Sequence, residues 1–293
     1  MSTGKRIAII VVTVVVVLAV AGIVAIDLVN RRAEREVAES IDETIRAGGM
    51  GDYISYSSVD VQSARGTMEI AEVRITQPMQ GLTMEFDSVS FAAPPAELVA
   101  LMRNPDTATL SRATMNVRGA TIAGQPGAGD ISFGSLDLDV TGEFSQNIGG
   151  NPMAALSSME SMSLAMAELR MTPNEMMIAQ LSMGGETPLS DEENWRVDTL
   201  GMDAHVEDTS IVVDAFDVTS PLVDLGAVGS IVLNEYMEPM PERAEITVRE
   251  IDPALREMVS GGMMMFGLEV PAEGTFVFSY VLGSDGYPQF EIR

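Results

Sequence analysis

Residues Ile7 to Ile26 read IAIIVVTVVVVLAVAGIVAI, a run without a charge in which only Thr13 and Gly22 interrupt the apolar residues. As a helix this segment is about 30 Å long, the thickness of a bilayer's hydrocarbon core. No other stretch constrains the chain as much: the remaining residues are expected to form a domain hung from a membrane.

Lys5 and Arg6 precede the run, as in a signal peptide, and Ala19-Val20-Ala21 resembles a cleavage site. The apolar stretch continues past that point to Ile26, which predicts an uncleaved transmembrane helix over 7–26 with residues 1–6 in the cytoplasm. Arg31, Arg32 and Arg35 come soon after the span and, counted alone, would favour the reverse orientation. A long C-terminal domain outweighs them, because large domains translocate largely regardless of charge. Ile26, Val29, Ala33, Val37, Ile41 and Ile45 then recur at helical spacing, so a juxtamembrane amphipathic helix is expected over 27–49, ending at Gly48-Gly49.

Some ~245 residues lie beyond these helices, enough for a sizeable core in one large or two small domains. The 43 acidic and 17 basic residues leave a net charge of −26, which excludes broad contact with nucleic acid or anionic lipid headgroups. Cysteine is absent, so disulfides, a thiolate nucleophile and Cys-ligated zinc are excluded. The hydrophobic share of 46% excludes a disordered chain.

From residue 50 onward the periodicity changes from helical to alternating, which predicts strands. They are expected at 53–61, 67–76, 81–91, 107–122, 131–144 and 162–171, and again at 195–206, 209–218, 223–233, 244–251, 275–282 and 287–292. Met68 and Ile70 change parity with Val73 and Ile75, which places a bulge near Ala71-Glu72. Leu82, Met84 and Phe86 likewise change parity with Val89 and Phe91. Short helices are expected after Pro95, Pro152 and Pro253, the last capped by Asp252. Residues 235–242 and 261–267 read as loops. The acidic stretch 184–194, GGETPLSDEEN, is the best boundary between a first β-rich part, 50–183, and a second, 195–293.

Chemistry-bearing groups are few. His205 stands between Asp203 and Glu207 at strand spacing, so the three would share a face; a solvated strand outweighs a metal or acid–base site in so acidic a chain. Glu85 with Asp87 and Asp137 with Asp139 are carboxylate pairs of the same kind. No nucleophile elbow, zinc-protease or P-loop motif occurs. Methionine is abundant, 22 in all with eight between Met153 and Met183. Met159, Met162 and Met166 could ligate Cu(I), but an adaptable apolar wall is the stronger reading. Met263 to Phe266 could touch a lipid or be ordinary core.

In style the chain resembles the AsmA-like envelope proteins, which have an N-terminal membrane helix followed by repeated β units. The anchor carries this resemblance together with Gly66-Thr67-Met68-Glu69-Ile70-Ala71-Glu72-Val73, the stretch from Thr209 to Pro221, Gly226 to Leu233, and Tyr280-Val281-Leu282-Gly283 with Tyr287-Pro288-Gln289. It implies a single-pass protein of the bacterial inner membrane with its C-terminal domain in the periplasm, engaged in envelope biogenesis or lipid handling.

The expected fold is therefore an N-terminal transmembrane helix followed by a mainly β domain, a long curved antiparallel sheet with a few short helices. The expected function is non-enzymatic and needs no cofactor. The partners are the bilayer through residues 7–26 and a lipid ligand or envelope proteins. An apolar sheet face including Met84, Phe86, Phe91, Met162, Leu164 and Met166 would hold or transfer lipid. The alternative is an anchored scaffold that recruits other envelope or secretion proteins. Sequence leaves open whether that face is an open groove or a closed core.

Overall fold

The structure is a computed structural model that describes residues 53–62, 65–77, 81–103, 109–124, 129–145, 158–173, 188, 191–207, 210–233, 239–264, 267–283 and 288–293. The helices expected over 7–26 and 27–49, and the helix expected after Pro152, lie outside these residues. Among the described residues no helix is long and apolar enough to cross a membrane.

One antiparallel sheet dominates. Its strands are β1 (Ile54–Ser55), β2 (Ser58–Gln62), β3 (Thr67–Gln77), β4 (Leu82–Ala92), β5 (Thr109–Ala123), β6 (Asp130–Ser145) and β7 (Met159–Thr172). After them come β8 (Arg196–Glu207), β9 (Ser210–Thr219), β10 (Val223–Leu233), β11 (Pro239–Ile251), β12 (Phe276–Leu282) and β13 (Pro288–Ile292). From β3 to β13 each strand pairs with the next in sequence, and β1 and β2 both pair with β3. β7 and β8 flank residues 184–194 and pair directly, Met162 opposite Ala204 and Met166 opposite Leu200, so the sheet runs on across that stretch.

Among the described residues two α-helices lie at strand ends, α1 (Pro95–Arg103) and α2 (Pro253–Met264). In α1 the buried Leu98 packs with Ala93 and Leu110, joined by Phe91 and Phe144. The Glu97 carboxylate accepts from the Ser111 backbone N–H and hydroxyl, at 2.7 and 2.6 Å. Asp252 caps α2 through Oδ1, which accepts from the backbone N–H groups of Ala254 and Leu255 at 2.9 and 3.2 Å. Arg256 holds the helix to the loop after it by donating to the carbonyls of Pro271 and Gly274.

Two boundaries depart from the sequence expectation. α2 runs through Gly261 and Gly262 to Met264 instead of ending in a loop. There Val259 and Met263 pack on Val248, Val270 and Phe276, and tertiary burial overrides the weak helix propensity of glycine. β11 begins at Pro239, inside the expected loop, with Pro239 opposite Leu233 and Pro241 opposite Ile231. Prolines are tolerated there because β12 pairs with β11 only from Arg243 onward, which leaves the preceding segment an edge on that side.

The parity changes expected in β3 and β4 belong to a larger feature. In β5 the apolar positions switch from Met115 and Val117 to Ala120 and Ile122; in β6 from Ile131 and Phe133 to Leu136 and Leu138; in β7 from Met166 to Leu169. The registers on either side place Glu72 opposite Asp87, Asp87 opposite Gly119, Gly119 opposite Gly134, and Gly134 opposite Glu168. These residues form one transverse seam. Glu72, Gly119 and Glu168 have φ of 50°, 60° and 56°. A left-handed residue inverts the pleat, at roughly 1–2 kcal/mol for a non-glycine. Because five neighbouring strands invert at the same line, none slips in register there, and their apolar residues stay on one face. At Gly119 a Cβ would stand 1.8 Å from Asp87 Oδ2, so this position requires glycine for space as well as for φ.

Candidate functional site

Cross-strand registers join the apolar positions into continuous rows. One row runs Val61, Met68, Phe91, Met115, Leu138, Leu164, Met202, Phe216, Ala227, Ile246, Phe278 and Ile292, each opposite the next. At a strand spacing of about 4.8 Å its contour is about 50 Å. A second row, two residues along each strand, passes from Ile70 through Val117, Leu136, Met166 and Leu200 to Val248 and Phe276. A third starts at Ala113, passes Val140, Met162 and Ala204, and ends at Tyr280 and Phe290. Every position named in these rows is apolar, apart from the Tyr280 hydroxyl.

Burial divides the second row into three. At β3 to β6 that row and the positions beyond it are closed, with Val117 0% exposed, Met84 1%, Phe86 3% and Leu136 5%, while Phe91, Met115 and Leu138 of the first row are half-buried. At β11 and β12 the second row closes again under α2, where Val248 and Phe276 are 8% and 4% exposed, and Ile246 and Phe278 of the first row stay half-buried. Between them, over β7 to β10, Leu164, Met166, Leu200, Met202, Phe216, Val218, Leu225 and Ala227 are all half-buried. This middle window is four strands wide, about 14 Å from first to last.

The six expected face residues therefore separate. Met84 and Phe86 sit in the main packed cluster with Ile122 and Phe133. Phe91 is half-buried and packs in the smaller cluster beneath α1. Met162, Leu164 and Met166 are half-buried and form the first strand of the window. Sequence reading missed the rest of it, Leu200, Met202, Phe216, Val218, Leu225 and Ala227. Their alternation was legible, but their alignment with β7 is a matter of register.

The opposite face is polar. Ser90 Oγ donates to Asn116 Oδ1 at 3.2 Å, and Asn116 Nδ2 to Asp137 Oδ1 at 2.6 Å. Arg118 donates to both oxygens of Asp137. Arg112 and Thr114 donate to Asp139, and Arg112 holds the Asp139 carboxyl below its ordinary range against the effect of burial. The carboxylate pair Asp137 and Asp139 is thus engaged by arginines across the strands, as carboxylates on a solvated sheet face commonly are.

His205 keeps the Glu207 neighbour expected on its own strand and gains a partner from the next strand. Its Nδ1 lies 2.7 Å from Asp214 Oδ2 on the neighbouring strand and its Nε2 3.3 Å from Glu207 Oε1, while Asp203 stands opposite Ser163 and Ala215. The hydrogen bond to Asp214, then that to Glu207, raises the imidazole above its ordinary pKa. Among the described residues no group of three His, Cys, Asp or Glu side chains is placed to hold a metal ion. Met162 and Met166 flank Leu164 on one strand, about 13 Å apart along it, too far for their thioethers to share one copper ion.

Comparison with known proteins finds no matching family model, no matching curated protein and no matching solved structure.

Proposed function

We propose that this chain is a non-enzymatic, membrane-anchored β-rich protein of the bacterial envelope, and that its apolar sheet face holds acyl chains during lipid handling in envelope biogenesis. The observation that carries this reading is the unbroken apolar row from β2 to β13 with a half-buried window over β7 to β10. A catalytic site needs convergent polar groups, whereas an acyl chain needs only continuous apolar area and adaptable walls, which Met162, Met166 and Met202 supply. The run at 7–26 supports the anchor and the inner-membrane location.

The test is mass spectrometry of lipid retained by the detergent-extracted full chain, compared with the double variant Met166→Gln/Met202→Gln. Retained lipid should fall several-fold in the variant while its denaturation midpoint stays close to that of the parent. A lipid-free parent protein that carries a stable protein partner would sink the lipid reading and favour the anchored scaffold. Orientation is tested by Ser284→Cys in spheroplasts. An impermeant thiol reagent should label it, and complete protection would place the domain in the cytoplasm.

A further inference from the structure

The sheet ends on one side at β13, and the hydrogen bonds of that strand show which of its backbone groups can pair further. Arg293 and Val277 exchange both backbone bonds at 2.9 Å. Ile292, Glu291, Phe290 and Gln289 then lie opposite Phe278, Ser279, Tyr280 and Val281 without a register shift. Bonded positions alternate along an antiparallel pair, so Glu291 and Gln289 bond to β12, whereas the N–H and C=O groups of Phe290 and Ile292 point outward. Pro288 has the same parity, so the strand's one missing N–H also lies on the outward side. Among the described residues no strand pairs with that side. We propose that β13 is a homotypic docking edge, which pairs antiparallel with β13 of a second copy of this chain about a two-fold axis between the two Phe290 residues. This pairing is independent of what the apolar face holds.

The strand's own sequence selects that register. With the axis at Phe290, this residue exchanges both of its outward bonds with Phe290 of the second copy. Each Ile292 N–H donates to the Pro288 carbonyl of the other copy, a pairing that asks for no proline N–H, and each Glu291 lies opposite Gln289 of the other copy. With the axis at Glu291, two carboxylates would stand directly opposite each other, which is destabilising. With the axis at Gln289, Phe290 would face Pro288, which cannot return the bond.

The side chains fit the same arrangement. Phe290 is 44% exposed, with its ring 5.8 Å from that of Phe278 and 5.5 Å from that of Tyr280. An aromatic cluster therefore stands at the margin of the apolar face with one side open, and the two-fold axis sets the second copy's Phe290 against it. Because the axis is perpendicular to the sheet, the apolar face of one copy runs on into that of the other. The charges of the strand lie on the opposite face, where Arg293 meets Glu291 at 3.9 Å and Glu245 at 3.1 Å. The other edge of the sheet is blunted: β1 and β2 are two and five residues long, broken at Tyr56-Ser57, with Asp60 exposed between Val59 and Val61. β13 has no such break, and its only proline is at its first residue. Head-to-tail pairing of the two edges would leave an open filament, whereas the two-fold pair closes.

Two paired strands of five residues bury less than the ~1,000 Å² of a stable complex, so the association is weak and the experiment traps it. The chain has no cysteine of its own. Gln289→Cys and Glu291→Cys full chains, carrying tags of different mass, are oxidised in non-ionic detergent separately and as a mixture. Positions 289 and 291 of the two copies face each other with Cβ atoms ~5 Å apart, close enough for a disulfide, while like positions are displaced along the strands. The mixed heterodimer should exceed either homodimer several-fold. Phe290→Lys in both chains puts a lysine on each side of the axis and should return the heterodimer to the homodimer level, with the denaturation midpoint close to that of the parent. A mixture that cross-links no better than either variant alone, or an excess that survives Phe290→Lys, overturns the docking edge. A Glu291→Cys homodimer stronger than the heterodimer overturns the register centred on Phe290.

Discussion

Met84→Ala and Met166→Ala probe the two parts of the apolar face with the same substitution. Met84 stands opposite Ile75 and Ile122 and is 1% exposed, within the cluster formed by Leu82, Phe86, Val117 and Phe133. Truncation removes three heavy atoms beyond Cβ. At ~0.8 kcal/mol per methylene-sized group that forfeits about 2.4 kcal/mol of burial. A site enclosed on both sides by paired strands collapses poorly, and the residual cavity adds ~1–2 kcal/mol. The expected loss is therefore about 3–4 kcal/mol, within the usual range for Met→Ala in a core. Met166 lies opposite Leu136 and Leu200 but is only half-buried, so the same change should cost ~1–1.5 kcal/mol. Guanidinium denaturation followed by the single tryptophan, Trp195, measures both. Lipid retention should change in the opposite sense: reduced in the Met166 variant, kept in the Met84 variant while it remains folded. A Met84 variant that loses less than ~1 kcal/mol and also loses lipid would refute the division into closed and open parts.

Further outcomes are set by the geometry. Gly119→Ala forces a Cβ into Asp87 and a side chain into positive φ, so it should cost about 2 kcal/mol or more; Asp87→Ala in the same chain should recover part of that, read as a coupling energy in a double-mutant cycle. Asp252→Ala removes the cap of α2 and should lower stability by ~1 kcal/mol, with faster amide exchange confined to that helix. His205 should titrate above its ordinary value of 6.5 by NMR, and Asp214→Asn should bring it down. Because the folded state holds that proton more tightly than the unfolded chain, the stabilisation is fully present below the ordinary histidine pKa. It is lost as pH rises through the raised folded value. An Asp214→Asn variant with an unmoved His205 titration would place the cause elsewhere.

Local chemistry alone determined much of this protein. Alternation in Leu82, Met84 and Phe86 marks β4, Asp252-Pro253 starts α2, and the paired parity changes near Ala71-Glu72 and between Phe86 and Val89 reveal two points of the seam. Each is a short-range signal, set by backbone propensity and side-chain period within a few residues. The run from Ile7 to Ile26 is of the same kind: length and apolarity suffice to state the expectation. Tertiary structure decided the rest. That Glu72, Asp87, Gly119, Gly134 and Glu168 share one line, that Leu164 faces Met202 and then Phe216, and that His205 meets Asp214 rather than Asp203 are facts of register. Equal alternation in Met84 and Met166 also gave no sign that one would be enclosed and the other half-buried. A strand's period says that it has an apolar face; what lies against that face depends on contacts far apart in the chain, which no local window contains.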